Sequence, residues 1–285
     1  ASNNSAFGFK ALEANTTGAG NVAVGKCSLT TNVSGGANIA IGLNALRLNT
    51  ASNNLAVGHC AMDLNSSGTE NTAFGFVALN KNTTGDLNTA LGRGALCSNT
   101  TSDNNTAVGT FALAANTTGA NNTSVGRNAL AANTTGQTNT SVGQGALAAN
   151  TTANNNTAVG NSALTKNTTG CENTAVGGTS LTCNTTGKRN VAVGFCAFRT
   201  NTTGDNSVIV GAYAMNANTS GGNNTAVGRN ALFSNTEGDN NTALGCGALG
   251  GNTTADANTS VGFESLAANT TGSSNVALGF RSLLA

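Results

Sequence analysis

The stretch Asn156 to Glu172 reads NTAVGNSALTKNTTGCE, and the rest of the chain is a series of variants of it. Taking the Gly of AVG as origin, the same residue returns at Gly8, Gly25, Gly42, Gly58, Gly75, Gly92 and so on to Gly279. Successive glycines lie 17 residues apart, except for one 16-residue step between Gly42 and Gly58, where the segment Asn49 to Asn54 is one residue short. A short fixed period kept through a whole chain describes a solenoid or fibre, in which each copy contacts its neighbours. The expectation is one repeat array over residues 1–285. Neither end has an atypical capping copy, so the array is read as a segment of a longer fibre.

Within a copy, position −1 is Val, Ile, Leu or Phe (Val24, Ile41, Phe74, Leu91), and position −3 is Thr, Ser, Val, Ile or Leu. Position −2 is Ala or Ser, apart from Ile209. β-Branched residues at i and i+2 around a small one predict a short strand with −3 and −1 on one face. The Gly that follows suits a positive φ or a close backbone approach. Positions +1 and +2 vary freely and are expected in solvent. Positions +3 and +4 are mostly Ala-Leu, as in Ala163-Leu164, which predicts a second short strand carrying one large apolar side chain. Asn then stands at +7, usually followed by Thr-Thr-Gly, and a second Asn at −4 opens the next strand. These residues favour turns. The Asn-Gly signal of a tight hairpin is missing. The expected fold is therefore all-β: a parallel β-solenoid, a two-sided roll of about 17 residues per coil, with Val and Leu ladders buried in the core and two Asn ladders bonding along the stack. Such a core is thin. Further apolar burial is expected from copies of the same chain, through the Ala side of the first strand and the Ala-Leu segment.

Composition narrows the function. Charged residues are 8% of the chain and the net charge is +1, so there is no basic field for nucleic acid or an anionic membrane. No apolar run approaches the roughly 18 residues of a membrane span. His59 is the only histidine and reads as a solvent-facing turn residue, leaving little material for His-based catalysis. The GxGxxG match at Gly245 to Gly250 lies outside any βαβ pattern and is not read as a nucleotide site. Asp86, Asp103, Asp205, Asp239 and Asp256 share one turn position, but most copies lack the acid there and no calcium-repeat motif occurs. The seven cysteines form no CxxC pair, and they read as small semi-buried side chains or as partners in disulfides between chains. No catalytic residue, cofactor or metal site is assigned.

One modification pattern is present. Asn at +7 with Thr or Ser at +9 forms a glycosylation sequon. The copies reading Asn-Thr-Thr give Asn15, Asn82, Asn99, Asn116, Asn133, Asn150, Asn167, Asn184, Asn201, Asn252 and Asn269. Turn chemistry is the competing reading of the same residues.

The segments NVAVG (Asn21–Gly25), NIAIG (Asn38–Gly42) and NTAVG (Asn156–Gly160) resemble the repeats of YadA-like heads in trimeric autotransporter adhesins. Similar arrays occur in phage and bacterial tail-fibre proteins. The resemblance implies a parallel β-roll, three chains side by side, and an elongated extracellular fibre at a cell surface or on a virion. The expected function is a structural or adhesive fibre segment without catalysis, acting as a stiff spacer or a repetitive surface for a cell-surface or glycan receptor. Two alternatives are an ice-binding solenoid, suggested by the Thr arrays, and a densely N-glycosylated filament.

Overall fold

The computed structural model describes residues 1–284 and contains two compact units, Ala1–Asn139 and Thr140–Ala285. The first holds β1 (Ser5–Phe7), β2 (Val22–Val24), β3 (Ile39–Ile41), β4 (Leu55–Val57), β5 (Thr72–Phe74), β6 (Thr89–Leu91), β7 (Thr106–Val108) and β8 (Thr123–Val125). The second holds β9 (Thr140–Val142), β10 (Thr157–Val159), β11 (Thr174–Val176), β12 (Val191–Val193), β13 (Val208–Val210), β14 (Thr225–Val227), β15 (Thr242–Leu244), β16 (Thr259–Val261) and β17 (Val276–Leu278). Within each unit every strand pairs in parallel with the next one in sequence. The register follows the repeat: Thr157 lies beside Thr174, and Ile39 beside Leu55 where the coil is one residue short. Each unit is thus a parallel β-solenoid with coils of about 17 residues, as expected.

The coil is walled on one side by the three-residue strand and on the other by linked turns. Both walls bond from coil to coil. Val22 N–H donates to Asn38 O at 2.8 Å on the strand wall, and Leu29 N–H to Ala45 O at 3.1 Å on the turn wall. The +3/+4 segment is not a strand. Positions +2 and +4 take left-handed backbone, with φ of 57° at Cys27 and 48° at Leu29, so the chain turns where an extended segment was expected. A left-handed Leu is unusual, and here it repeats in coil after coil. The conformation turns the Leu inward, where Leu46, Leu79, Leu113 and Leu164 are fully buried.

The core also differs from expectation in its second component. The −2 residue points inward, as at Ala23, Ala90 and Ala158, and the +3 Ala joins it; all are fully buried. The −1 Val and −3 Thr point outward, so Val24 is 36% exposed and Ile41 39%. The core is therefore Ala, Ala and Leu rather than Val and Leu. The walls lie so close that a small side chain fills the gap: where −2 is Ser, Ser124 Oγ reaches across to Ala129 O at 2.8 Å. This also corrects the expected contact faces, because the Ala side chains are enclosed in their own coil and cannot meet another chain.

Candidate interaction surface

The expected turn residues lie inside. Asn at −4 and +7 are fully buried in nearly every described coil. They form two ladders. In the first, Asn173 N–H donates to Asn156 Oδ1 at 3.0 Å and Asn173 Nδ2 to Gly187 O at 2.8 Å. In the second, Asn184 Nδ2 donates to Asn167 Oδ1 at 2.8 Å and to Gly187 O at 2.9 Å. Both ladders meet at the Gly carbonyl of the Thr-Thr-Gly turn, the first from the strand wall and the second from within the turn. At the short coil Asn49 Nδ2 meets Ala51 O at 2.8 Å and Asn54 N–H still reaches Asn38 Oδ1 at 3.0 Å, so the missing residue is absorbed in the turn.

These positions include the candidate glycosylation sites. Asn82, Asn99, Asn116, Asn133, Asn150, Asn167, Asn184, Asn201 and Asn252 are fully buried, and Asn15 and Asn269 are half-buried. The Nδ2 that would carry a glycan is a hydrogen-bond donor at each end of the series, from Asn15 to Gly18 O at 3.0 Å and from Asn269 to Gly272 O at 2.9 Å. The folded coil and a glycan compete for one atom. Chain secreted from a glycosylating eukaryotic host is therefore expected to keep its bare mass of 27.8 kDa and to be unchanged by a peptide-N-glycosidase. Intact-mass spectrometry checks this, and added hexose-containing steps on folded material would refute it.

The aspartate column is a turn device. Asp103 Oδ1 accepts Asp86 N–H at 2.8 Å, and Asp256 Oδ1 accepts Asp239 N–H at 2.7 Å, so each carboxylate caps the coil before it. Among the described residues no group of three His, Cys, Asp or Glu is placed to hold a metal ion. All seven cysteines are free thiols. Arg47 and Asp63 form a two-point ion pair between adjacent coils, at 2.8 and 3.4 Å, which holds the guanidinium above its usual pKa.

What faces solvent in register is the outer side of the strand wall, the −3 and −1 columns. Neither column contains a charged residue anywhere in the chain. Neighbouring rows are about 4.8 Å apart and the two columns about 6.6 Å apart, from ordinary strand geometry. Two kinds of stretch occur. The first unit carries an apolar one, with Ile39, Ile41 and Leu43 on one coil and Phe74 and Phe76, about half exposed, two coils on. Other stretches are Thr-x-Val rows: Thr106 and Val108 beside Thr123 and Val125 in the first unit, and Thr140, Thr157 and Thr174 with their valines in the second.

An aromatic column runs along one margin. His59, exposed as expected, stacks on Phe76 at 5.3 Å and 18°. Arg93 then lies between Phe76 and Phe111, 5.9 and 5.4 Å from their centroids. Gly94 makes room for this, since a Cβ there would come within 2.7 Å of the Phe111 ring.

No protein-family model matches the chain, and comparison with curated proteins finds no match. Fold and surface define a class by themselves: an all-β parallel solenoid of tandem 17-residue repeats, tied internally by asparagine ladders.

Proposed function

We propose that the chain is a non-catalytic structural and adhesive segment of an extracellular fibre, and that it associates with copies of itself. The observation that supports this most is the uncharged outward face repeated coil after coil, backed by an interior whose polar groups are used in the ladders. Contact repeated along such a face gains by multivalency what each coil lacks singly. Exposed apolar patches of this kind mark interaction sites, and the stretch from Ile39 to Phe76 is the place for a second copy. The number three follows from the resemblance to trimeric adhesin heads. By sedimentation the purified chain is expected to behave as a trimer, and the double variant Ile41→Lys with Phe74→Lys as a folded monomer. A wild-type chain that sediments as a folded monomer at micromolar concentration would overturn the self-association.

A further inference from the structure

The Thr-x-Val rows differ from the apolar stretch in having unused hydroxyls. Thr89, Thr106 and Thr123 follow one another in register on β6, β7 and β8. Thr140, Thr157 and Thr174 do so on β9, β10 and β11, and Thr225, Thr242 and Thr259 on β14, β15 and β16, with Leu91 on β6 and Leu244 on β15 standing in the place of the valine. Among the described residues no Oγ1 of these threonines has a hydrogen-bond partner, although each residue is half-buried or exposed. The contrast is with the first threonine of each turn pair. Thr117 Oγ1 donates to Thr134 O at 3.0 Å and Thr185 Oγ1 to Thr202 O at 3.0 Å, so that column spends its hydroxyls on the fold.

From these free hydroxyls set in register among valine methyls, we infer that the Thr-x-Val rows bind the surface of crystalline water. Three properties lead there. The hydroxyls form a two-dimensional lattice fixed by backbone pairing, with rows about 4.8 Å apart, near the oxygen repeat of hexagonal ice. The neighbouring methyl groups offer adjacent water no competing hydrogen bonds, so water held at one hydroxyl is directed towards the next. The two columns lack charge, which would impose a hydration shell incompatible with a lattice. The adjacent Thr pair of the turn is not the array; the −3 threonines are, and they share a face with the −1 valines.

The test is ice adsorption by the full chain, measured as thermal hysteresis and as partition into a slowly growing ice hemisphere. Wild type is expected to show both. The double variant Thr106→Arg with Thr157→Arg places a bulky charge in a row of each unit and is expected to lose both. Thr118→Arg with Thr169→Arg, on exposed turn positions, is expected to retain both. Thermal melting of each variant separates loss of adsorption from loss of fold. Absence of hysteresis and partition in folded wild type overturns the inference, as does equal loss in the turn control. Sedimentation run on the same samples distinguishes this outcome from failure of the fibre reading: an oligomer that ignores ice overturns this inference and leaves self-association standing.

Discussion

Gly160→Ala is expected to disrupt the coils on both sides of it and to lower stability by about 3 kcal/mol or more, since left-handed strain alone costs about 1–3 kcal/mol for a residue with a side chain. Gly160 has φ of 137°, and a Cβ built there would lie 2.6 Å from Gly177 O and 2.7 Å from Gly177 C. The obstacle is backbone, so no rotamer change relieves it. Nor can the next coil retreat, because Gly177 N–H is bonded to Val159 O at 2.8 Å and Gly177 is in turn close under Gly194. The neighbouring position is the control. Gly178 has no positive φ, and the nearest atoms to its Cβ are the Phe195 ring carbons at 3.5 and 3.7 Å, so Gly178→Ala is expected to stay within about 0.5 kcal/mol of wild type, as for surface substitutions. Urea unfolding measures both. Because a solenoid couples mainly nearest neighbours, hydrogen exchange should place the damage of Gly160→Ala in the coils on either side of it. Equal stability of the two variants would show that the glycine column is dispensable.

The period, the glycine column, parallel stacking and the asparagine ladders are legible in the sequence, because each depends on a residue with few substitutes. Inside and outside are not settled by hydrophobicity. In Thr157-Ala158-Val159 the alternation puts Thr and Val together and Ala opposite, and the larger apolar residue is the natural candidate for the core. The narrow gap between the two walls decides otherwise. The signal was in the variation: position −2 departs from Ala or Ser only at Ile209, while −1 accepts Val, Ile, Leu and Phe. A side chain stacked on copies of itself in an enclosed space tolerates little change in volume, whereas an outward one tolerates much. Similarly, Ala-Leu at +3 and +4 reads as a strand because Leu gives no sign of left-handed backbone. The clue lies one position earlier, in Asn44, Asn128, Asn230, Gly94, Gly145 and Gly247 at +2, residue types that accept positive φ. The sequon reading and the ladder reading of the +7 Asn describe the same residue. In the folded coil that amide is already engaged, and the outward hydroxyls of the strand wall sit elsewhere, at −3, a position that Thr shares with Val.

Asn184→Leu and Asn184→Asp together measure what the inner ladder contributes, and they differ in their response to pH. Asn184 is fully buried; its Nδ2 serves Asn167 Oδ1 and Gly187 O, and its Oδ1 accepts Asn201 Nδ2 at 2.9 Å. Leucine keeps the approximate volume and removes both roles. Gly187 O retains Asn173 Nδ2 and Asn201 Nδ2 retains Gly204 O, but Asn167 Oδ1 loses its donor. A buried polar atom left without a partner costs about 1–3 kcal/mol, and a net hydrogen bond about 1 kcal/mol, so the Leu variant is expected to lose on the order of 3 kcal/mol at every pH. The Asp variant is nearly isosteric, yet an ionised carboxylate cannot donate to Asn167 Oδ1 or Gly187 O and would be buried facing them. Burial and the facing oxygens raise the folded pKa of that carboxyl above its unfolded value of about 3.9. A raised folded pKa means that the variant is least penalised below the unfolded pKa, where its proton can bridge to Asn167 Oδ1. The penalty then grows as pH rises through the folded pKa. The stability gap between Asn184→Asp and wild type is therefore expected to widen from pH 4 to pH 7, while the gap for Asn184→Leu stays constant. A Leu variant as stable as wild type would show that the asparagines merely fill space. An Asp variant whose deficit did not change with pH would show that the carboxyl escapes to solvent, and that the coil interior is more open than its hydrogen bonds imply.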